Sequence, residues 1–365
     1  MRDADFQAHT LTVRLGALTD NYRTFQRLAG PAAVAGVVKA DGYGLGADFT
    51  GPALAAAGCD TFFVARLEEG VALRRAVGAA PRIFVLDGAP SDAVPALIAH
   101  RLTPVLNTLA DIAGWNAAAG ASRLSLDAAI HIDTGMNRLG LSGEELSLLA
   151  AEWKTRLKNI NLVLLMSHLA RGDEAGHAMN AQQLSRFRIA LAMLPPAPAS
   201  LAASGGAFLG KPYHFDLVRA GIGLYGGACL EGEKPLKTVA VATARVLQLR
   251  RIDKGESVGY AATFRARRPS LIATVALGYA GGIPRSLSGK GVAFAAGGRA
   301  NFAGRVSMDM TALDVTDLAG LKVGDEVEFL GDHVMLEEVA ALAGTNAYEI
   351  LTGLKMPRHY TEAAA

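Results

Sequence analysis

Cysteine is scarce in this 365-residue chain, which has only Cys59 and Cys229, far apart and in no CxxC motif. Two such cysteines predict neither a secreted disulfide framework nor a zinc site, and no metal is expected. Charged residues make up 19% of the chain and the net charge is only +2, with no basic block. Nucleic acid is therefore not an expected partner, and a small molecule is.

Long apolar segments are also missing. The first residues, MRDADFQAHT, lack the apolar region of a signal peptide. The longest stretch without charge, Ile189 to Gly210, contains three prolines. We interpret it as the end of a helix, a loop and a short strand rather than a membrane span. The sequence thus predicts a soluble, cytoplasmic protein without a membrane partner.

What the chain does have is 51% apolar residues, which from residue 33 form short apolar runs separated by amphipathic stretches. The runs predict eight strands: Ala33–Ala40, Thr61–Arg66, Arg82–Asp87, Thr103–Asn107, Ala128–Asp133, Leu162–His168, Ala199–Ser204 and Phe215–Arg219. The stretches between them predict helices, among them Leu67–Val77, Glu144–Arg156 and Asn180–Leu194. This alternation favours a (β/α)8 barrel. An open doubly wound sheet is the alternative, but no GxGxxG motif follows the first strand.

The pattern changes after about residue 233, where apolar residues alternate from Val239 to Leu249. Further short β-like runs follow, at Leu271–Leu277, Val292–Ala296, Thr311–Val315 and Glu326–Leu330. We therefore predict an α/β protein in which a (β/α)8 barrel domain, 1–233, precedes a mostly β C-terminal domain, 234–365. The first ten to fourteen residues or so could instead belong to the β domain.

Polar residues at or just after the ends of the predicted strands are the first indication of a site. They are Lys39, Asp133, Arg138, His168, Ser204 and Arg219. Strand ends often face water, but in a barrel these six side chains would share one mouth. A lysine at the wet end of a buried strand can lose its proton and form a Schiff base, although it could also extend its head into water. The glycine-rich stretch after Arg219 could bring backbone N–H groups close to a phosphate.

Eight separated motifs resemble those of the alanine racemases and run in family order along nearly the whole chain. They are VVKADGYGLGA (37–47), HIDTGMNRLG (131–140), SHLARGDE (167–174), RAGIGLYG (219–226), VGYAATF (258–264), GYAGGIPR (278–285), GRVSMD (304–309) and NAYEIL (346–351). The family fold is a (β/α)8 barrel followed by a β domain, as the periodicity also indicates.

The resemblance implies pyridoxal 5'-phosphate on Lys39 and interconversion of L- and D-alanine by two bases, Lys39 and Tyr260. It assigns further cofactor contacts to Tyr43, Arg138, His168, Ser204, Arg219, Gly221, Ile222 and Tyr348. It places Arg138, Met308 and Asp309 near the substrate, and Asp173, Tyr279, Arg285 and Arg305 at the entrance. It also implies a homodimer with shared active sites, in which Tyr260 of one chain enters the barrel mouth of the other.

Two residues depart from the family pattern. Where His131 stands, many members have a lysine carbamate that steadies the arginine seven residues on; an anion from solution or a nearby carboxylate is expected to take its place beside Arg138. Gly281 replaces an aspartate that is usual in the GYADG motif, which affects the entrance.

Three other functions remain open at this stage. A broad-specificity amino-acid racemase of the same fold is the main alternative to an alanine racemase. A related decarboxylase would have a carboxylate where this chain has Arg219. A cofactor-carrier protein would usually lack the β domain. Roles in cell-wall precursor supply and in alanine catabolism are both compatible with the sequence.

Overall fold

The computed structural model describes residues 7–230 and 236–362. The chain divides into two compact units. The larger consists mainly of Leu18–Leu224. The smaller contains the residues up to Ala17, Tyr225–Gly227 and those from Leu236 onward. It therefore includes the first strand, β1 (His9–Arg14).

Eight parallel strands form the sheet of the larger unit. They are β2 (Ala33–Val37), β3 (Thr61–Val64), β4 (Arg82–Val85), β5 (Thr103–Leu106), β6 (Leu126–His131), β7 (Ile160–Met166), β8 (Ala199–Ser200) and β9 (Leu217–Ala220). Each strand pairs with the next along the chain as far as β8, and β2 pairs with β9. Arg219 N donates to Ala202 O at 3.0 Å and links the ends of β8 and β9. The ring is thereby closed, and the predicted (β/α)8 barrel is confirmed.

Helices connect these strands. They are α1 (Leu15–Ala29), α2 (Lys39–Tyr43), α3 (Ala47–Ala56), α4 (Leu67–Val77), α5 (Val94–Ala99), α6 (Leu109–Ser122), α7 (Gly143–Arg156), α8 (Ala178–Met193) and α9 (Ser204–Phe208). A capping box begins α7, since Ser142 Oγ accepts from Glu145 N and Glu145 Oε2 accepts from Ser142 N. The predicted bounds of α4 agree with the structure, and those of α7 and α8 agree within two residues.

The barrel strands are apolar because both of their faces are covered. In β3 the side chains of Phe62, Phe63 and Val64 are all buried. Phe63 stacks on Phe84 of β4 with ring centroids 4.7 Å apart. Such packing fixes the strand ends, and with them the side chains that follow.

All barrel strands except β9 end earlier than the sequence predicts, and the first and seventh strands, β2 and β8, differ most. β2 stops at Val37 rather than at Ala40, because Lys39 begins a helical turn. β8 contains only Ala199 and Ser200, since Ser204 begins α9. In both places the run of small and apolar residues continues beyond the end of the strand into a turn that carries candidate site residues. Apolar sequence alone does not show where a ladder stops.

The smaller unit is mostly antiparallel. Its strands are β10 (Ala240–Ile252), β11 (Ser257–Val258), β12 (Phe264–Arg265), β13 (Ser270–Val275), β14 (Val292–Ala295), β15 (Gly298–Phe302), β16 (Thr311–Asp314), β17 (Glu326–Leu330) and β18 (Arg358–Thr361). One sheet has the order β13-β16-β15-β14-β17-β10-β1-β18, and β13 also pairs with β10. Six strands therefore form a second closed ring, while β11 and β12 form a separate hairpin. The prediction of a mostly β C-terminal region is confirmed.

Two short helices complete this unit, α10 (Leu336–Ala343) and α11 (Ala347–Gly353). Neither they nor β1, β15 and β18 are among the elements that the periodicity predicts. Across the described residues, no helix has both the length and the apolar character needed to cross a membrane.

Candidate active site

Lys39 follows β2 at the carboxyl end of the barrel and begins α2. Burial lowers its pKa, and the positive charge of Arg138 lowers it further, whereas Glu69 acts in the opposite direction. These effects favour the neutral amine, which is the form that attacks a carbonyl. The environment of Lys39 therefore suits a Schiff-base lysine.

Arg219 lies on β9, the strand beside β2, and is only 3% exposed. Its guanidinium donates to Ser200 Oγ at 2.6 Å, to the carbonyl oxygen of Ser167 at 2.8 Å and to that of Leu201 at 3.4 Å. These acceptors are neutral. Burial lowers the pKa of Arg219 to about 10, so the side chain stays charged at neutral pH. The site thus contains a buried cation held by neutral groups.

Arg219 also fixes the tautomer of His168, the residue that follows β7 by two positions. Its guanidinium donates to His168 Nδ1 at 3.1 Å, so a neutral imidazole carries its proton on Nε2. Burial lowers the pKa of His168 well below its usual range, and the charge of Arg219 adds to this effect. His168 is therefore a neutral imidazole with a defined donor.

A narrow cradle follows β9 and contains the residues predicted to hold a phosphate. Ser204 Oγ accepts from Gly221 N at 2.7 Å and from Gly223 N at 3.3 Å. A Cβ at position 221 would overlap Tyr43 Oη, so only glycine allows this close approach. The structure brings Tyr43, Ser204 and Gly221 together beside Ile222. The hydroxyl groups of Tyr43 and Ser204 and the backbone at Ile222 fit a phosphate, and Lys39, which follows the neighbouring strand β2, fits an aldehyde.

His131 ends β6 and is buried against Asn107, which follows β5. Both amide protons of Asn107 go to backbone carbonyls, of Leu86 at 2.9 Å and Val105 at 3.0 Å. Asn107 Oδ1 therefore accepts from His131 Nδ1 at 2.9 Å, which leaves a lone pair on Nε2. Burial lowers the pKa of His131 to about 4, with Arg219 next in effect. The imidazole is thus neutral and supplies no opposite charge to Arg138.

The loop between His131 and Leu141 presents Arg138 at an exposed position. Asp133 Oδ1 accepts from the backbone N–H groups of Gly135 and Met136, each at 2.9 Å, and so shapes this loop. Within 7–230 and 236–362, no carboxylate forms an ion pair with Arg138. The expected carboxylate substitute for the carbamate is therefore not found among these residues.

The smaller unit holds a second group of predicted site residues. Tyr260 lies in the turn between β11 and β12, and its side chain is 70% exposed. The backbone of Gly259 lies beside that of Arg305. Tyr279 N donates to Ser307 O at 3.0 Å, and Ala280 N donates to Met308 O at 2.9 Å. These bonds bring the GYAGGIPR and GRVSMD motifs together.

The comparisons with known proteins agree with this arrangement. The family model described as "Alanine racemase, N-terminal domain" matches residues 13–229, and the one described as "Alanine racemase, C-terminal domain" matches 239–360. The chain belongs to the alanine racemase family.

Relatives in this family match most of the chain. A catabolic alanine racemase of Agrobacterium fabrum is 48% identical over 94% of this chain and 89% of its own length. The alanine racemase of Brucella abortus is 46% identical over 94% of this chain and 91% of its own. The crystal structure of alanine racemase from Bartonella henselae, with covalently bound pyridoxal phosphate, is similar with a TM-score of 0.94 and 40% identity, over 98% of this chain and all of that one. The biosynthetic alanine racemase of Pseudomonas aeruginosa gives a TM-score of 0.91 at 35% identity, with coverage of 98% and 100%.

The remaining alanine racemase motif residues lie on exposed surfaces. Asp173 is exposed in the loop before α8, and Arg285, Arg305 and Asp309 are exposed in the smaller unit. Tyr348 lies on α11 with about half of its side chain exposed. Their roles at the entrance, the substrate and the cofactor stay predictions.

Gly281, the departure from the usual alanine racemase motif, is buried. A Cβ at this position would lie 2.5 Å from Leu277 Cδ1, and Leu277 is itself almost fully buried. An aspartate would therefore require the end of the Leu277 side chain to move. The substitution alters local packing and is not only the loss of a surface charge.

Sequence reasoning missed the residues that support the predicted ones. Asn107 fixes His131, and Ser200 accepts from Arg219. Gln183 of α8 donates to the carbonyl of His168 at 2.9 Å and accepts from Ala170 N at 2.8 Å. Asn107 could have been found, because it ends a predicted strand as Asp133, His168, Ser204 and Arg219 do. Ser200 and Gln183 have no comparable sequence signal.

Proposed function

We propose that this protein interconverts L-alanine and D-alanine with pyridoxal 5'-phosphate bound to Lys39. The observation that carries the proposal is the position of Arg219. This buried cation lies on β9, the strand beside β2, which Lys39 follows, and its hydrogen-bond partners are neutral. Related decarboxylases have a carboxylate at that place. A cation there disfavours a second positive charge, so Arg219 would keep the pyridine nitrogen of a bound cofactor unprotonated. Membership of the alanine racemase family and the covalently bound cofactor of the Bartonella henselae relative support the assignment.

The residues around Lys39 would hold the cofactor by its two ends. Tyr43 Oη, Ser204 Oγ, the backbone of Gly221 and Ile222, and Tyr348 would bind the phosphate, and Arg138 would face the phenolic oxygen. When bound, the cofactor delocalises the negative charge that forms on the α-carbon of the substrate. The neutral amine favoured at Lys39 suits both attachment and proton transfer.

Racemisation needs a base on each face of the substrate. Lys39 Nζ would exchange the α-proton on one face and Tyr260 Oη on the other. An ordinary phenol is a weak base at neutral pH, so Tyr260 needs a positive environment. His168, with its proton on Nε2 and Arg219 behind Nδ1, offers a donor to the phenolate oxygen. Met308 and Asp309 would lie near the substrate carboxylate, and Asp173, Tyr279, Arg285 and Arg305 would line the entrance.

The proposal includes a homodimer in the cytoplasm. The phenol of Tyr260 is largely exposed on its own chain, as expected of a side chain that completes a site on a partner. A closed two-fold dimer would then contain two shared sites, each with Lys39 from one chain and Tyr260 from the other.

A broad-specificity racemase is the second candidate, because the entrance motif departs from the family pattern at Gly281. The relatives include racemases described as catabolic and as biosynthetic, so either physiological role is compatible with the family.

Two measurements on the purified protein test the proposal. Reduction with borohydride should fix the cofactor on Lys39, identified by peptide mass, and incubation with L-alanine should yield D-alanine by chiral chromatography. Assaying each L-amino acid in turn separates the alanine-specific enzyme from the broad one. A label on another lysine, or the absence of D-alanine, would contradict the assignment.

A further inference from the structure

The backbone immediately after Lys39 is unusual. Ala40, Asp41, Gly42 and Tyr43 follow one another with φ of 53°, 54°, 63° and 56°. Ala40, Asp41 and Gly42 have ψ of 49°, 51° and 44°, and together they form a left-handed helical turn. Left-handed helix is sterically costly for L-residues with a Cβ, which three of these four have. Such a turn persists only where its surroundings hold it.

Some of the restraint comes from the local chain. Gly42 N donates to Val38 O at 2.9 Å, and Gly44 N donates to Ala40 O at 2.8 Å. Asp41 Oδ1 accepts from Ala47 N at 2.9 Å. These bonds close the turn on itself but do not tie its first residue to the barrel.

Glu69 of α4 makes that connection. Its Oε1 accepts from Ala40 N, the residue after Lys39, at 2.7 Å. Its Oε2 accepts from Ala65 N at 2.8 Å and from Arg66 N at 3.2 Å, at the end of β3 and the start of α4. One carboxylate therefore joins the carboxyl ends of the neighbouring strands β2 and β3.

The three donors also explain why the residue is a glutamate. All three partners are N–H groups, so both side-chain oxygens must accept. A glutamine would turn its own N–H group towards a donor on one side. The carboxylate is also an anion near Lys39, where it opposes the positive charges of Arg138 and Arg219.

We propose that Glu69 is a positioning residue that holds the strained turn Ala40–Tyr43 and thereby fixes the main chain from which Lys39 and Tyr43 extend. The role rests on the proposed function, since Lys39 and Tyr43 are the residues it places. Glu69 itself is not assigned a contact with cofactor or substrate.

Another helix of the barrel shows which substitution of Glu69 would remove the bond to Ala40 and keep the helix cap. Asp111 occupies the same third position of α6, and its Oδ2 accepts from Asn107 N at 3.0 Å and from Thr108 N at 3.1 Å. These donors correspond to Ala65 and Arg66 in α4. An aspartate at this position therefore still caps the helix. Glu69→Asp should keep the cap of α4 and lose the longer reach to Ala40.

Glu145 provides the matched control. It occupies the third position of α7 and accepts from Ser142 N through Oε2, and none of its bonds goes to the Lys39 segment. Glu145→Asp therefore makes the same chemical change in a helix cap. The full-length holoenzymes of both variants would be compared with wild type for thermal midpoint, kcat, KM and the rate at which hydroxylamine removes pyridoxal phosphate from Lys39.

We expect Glu69→Asp to lower kcat roughly tenfold to a hundredfold with KM within about twofold, because small displacements of a reacting group cost this much. Cofactor release should become faster by a similar factor. Glu145→Asp should change the thermal midpoint as little as Glu69→Asp does, and it should leave both kcat and the rate of cofactor release unchanged. Adding Ala40→Gly to Glu69→Asp should restore part of kcat, since glycine adopts positive φ without steric cost.

The proposal is wrong if Glu69→Asp and Glu145→Asp have the same kcat and release rate, or if Ala40→Gly rescues nothing. If Glu69→Asp does not accumulate as folded protein, the double variant with Ala40→Gly must fold for the proposal to stand. Failure of the proposed function is distinguishable. A wild type with cofactor on Lys39 but without racemase activity refutes that function, while the release rates still test Glu69.

Discussion

The two groups of candidate residues differ in how the chain holds them. In the barrel, Arg219 is almost fully buried, Ser204 accepts from two backbone N–H groups, and His168 has a defined tautomer. In the smaller unit, Tyr260 is 70% exposed, Met308 is 55% exposed and Tyr279 is 42% exposed. The chain itself organises the cofactor half, whereas it presents the second base on an open surface.

This difference predicts how substitutions in the two groups affect stability and activity. The barrel residues are positioned by bonds within their own unit, so substitutions there should disturb packing as well as chemistry. Tyr260 contributes little to packing in a single chain, so its removal should affect chemistry alone. The comparison therefore predicts which variants lose stability together with activity and which do not.

Tyr260→Phe is expected to have the largest effect on activity. Loss of the second base should lower kcat about 10²- to 10⁴-fold, the range typical of general acid–base catalysis. The thermal midpoint should change little, because Tyr260→Phe removes one hydroxyl from a side chain that is mostly exposed on its own chain and leaves the ring in place. Tyr213→Phe, at a half-buried tyrosine outside the assigned site, serves as the matched control and should retain its activity. A Tyr260→Phe variant within about fivefold of wild-type kcat would exclude the phenol as a base.

Arg219→Glu should reduce racemisation by about two to three orders of magnitude, comparable to the loss of a key electrostatic group elsewhere. A carboxylate would favour protonation of the pyridine nitrogen, so the transamination side reaction should rise. Stability should also fall, since the bonds to Ser200 and Ser167 are lost. Arg219→Lys retains the cation and controls for this loss. The measurement is the ratio of keto acid to D-alanine produced. If this ratio is the same in Arg219→Glu as in wild type, Arg219 does not suppress transamination.

His131→Gln should have the smallest of the three effects, a change in how the free energy of unfolding falls at acid pH. The pKa of His131 is lowered to about 4 in the folded protein, so the unfolded chain binds a proton first as pH falls. The associated stability is present above about pH 6.5 and is lost towards pH 4, by up to about 3 kcal/mol. The variant should lose less stability over this window than wild type does. Urea unfolding at several pH values within this window measures the free energy of unfolding, with the exposed His359→Gln variant as control. Equal losses in wild type, His131→Gln and His359→Gln would contradict the assignment.

The sequence predicts the architecture well because burial leaves a clear periodic signal. Eight apolar runs gave all eight barrel strands, and the alternation after Val239 gave β10. Strand-end positions and the family resemblance indicated Arg219, His168 and Ser204, which the structure brings into bonded contact with one another or with the glycine-rich stretch. These residues are found by sequence because each lies at or near the end of a strand.

The parts that the sequence did not predict depend on bonds between distant residues. Nothing in ADGY shows that Ala40 to Tyr43 form a left-handed turn, since only Gly42 favours positive φ. The bond between Asn107 and His131 joins residues 24 apart in the chain, and no local pattern indicates that the two are paired. The carboxylate of Glu69 looks like an ordinary helix cap until its second oxygen is seen to accept from Ala40 N. Such details follow from how strand ends meet in the barrel.

The shared active site is tested most directly by mixing two inactive variants. Lys39→Ala and Tyr260→Phe should each be nearly inactive alone. Unfolded together and refolded, they should form mixed dimers as about half of the population. In each mixed dimer, one site has intact Lys39 from one chain and intact Tyr260 from the other. Recovery of about a quarter of wild-type activity is therefore predicted if the sites act independently. No recovery, with mixed dimers confirmed by mass, would show that both bases come from the same chain.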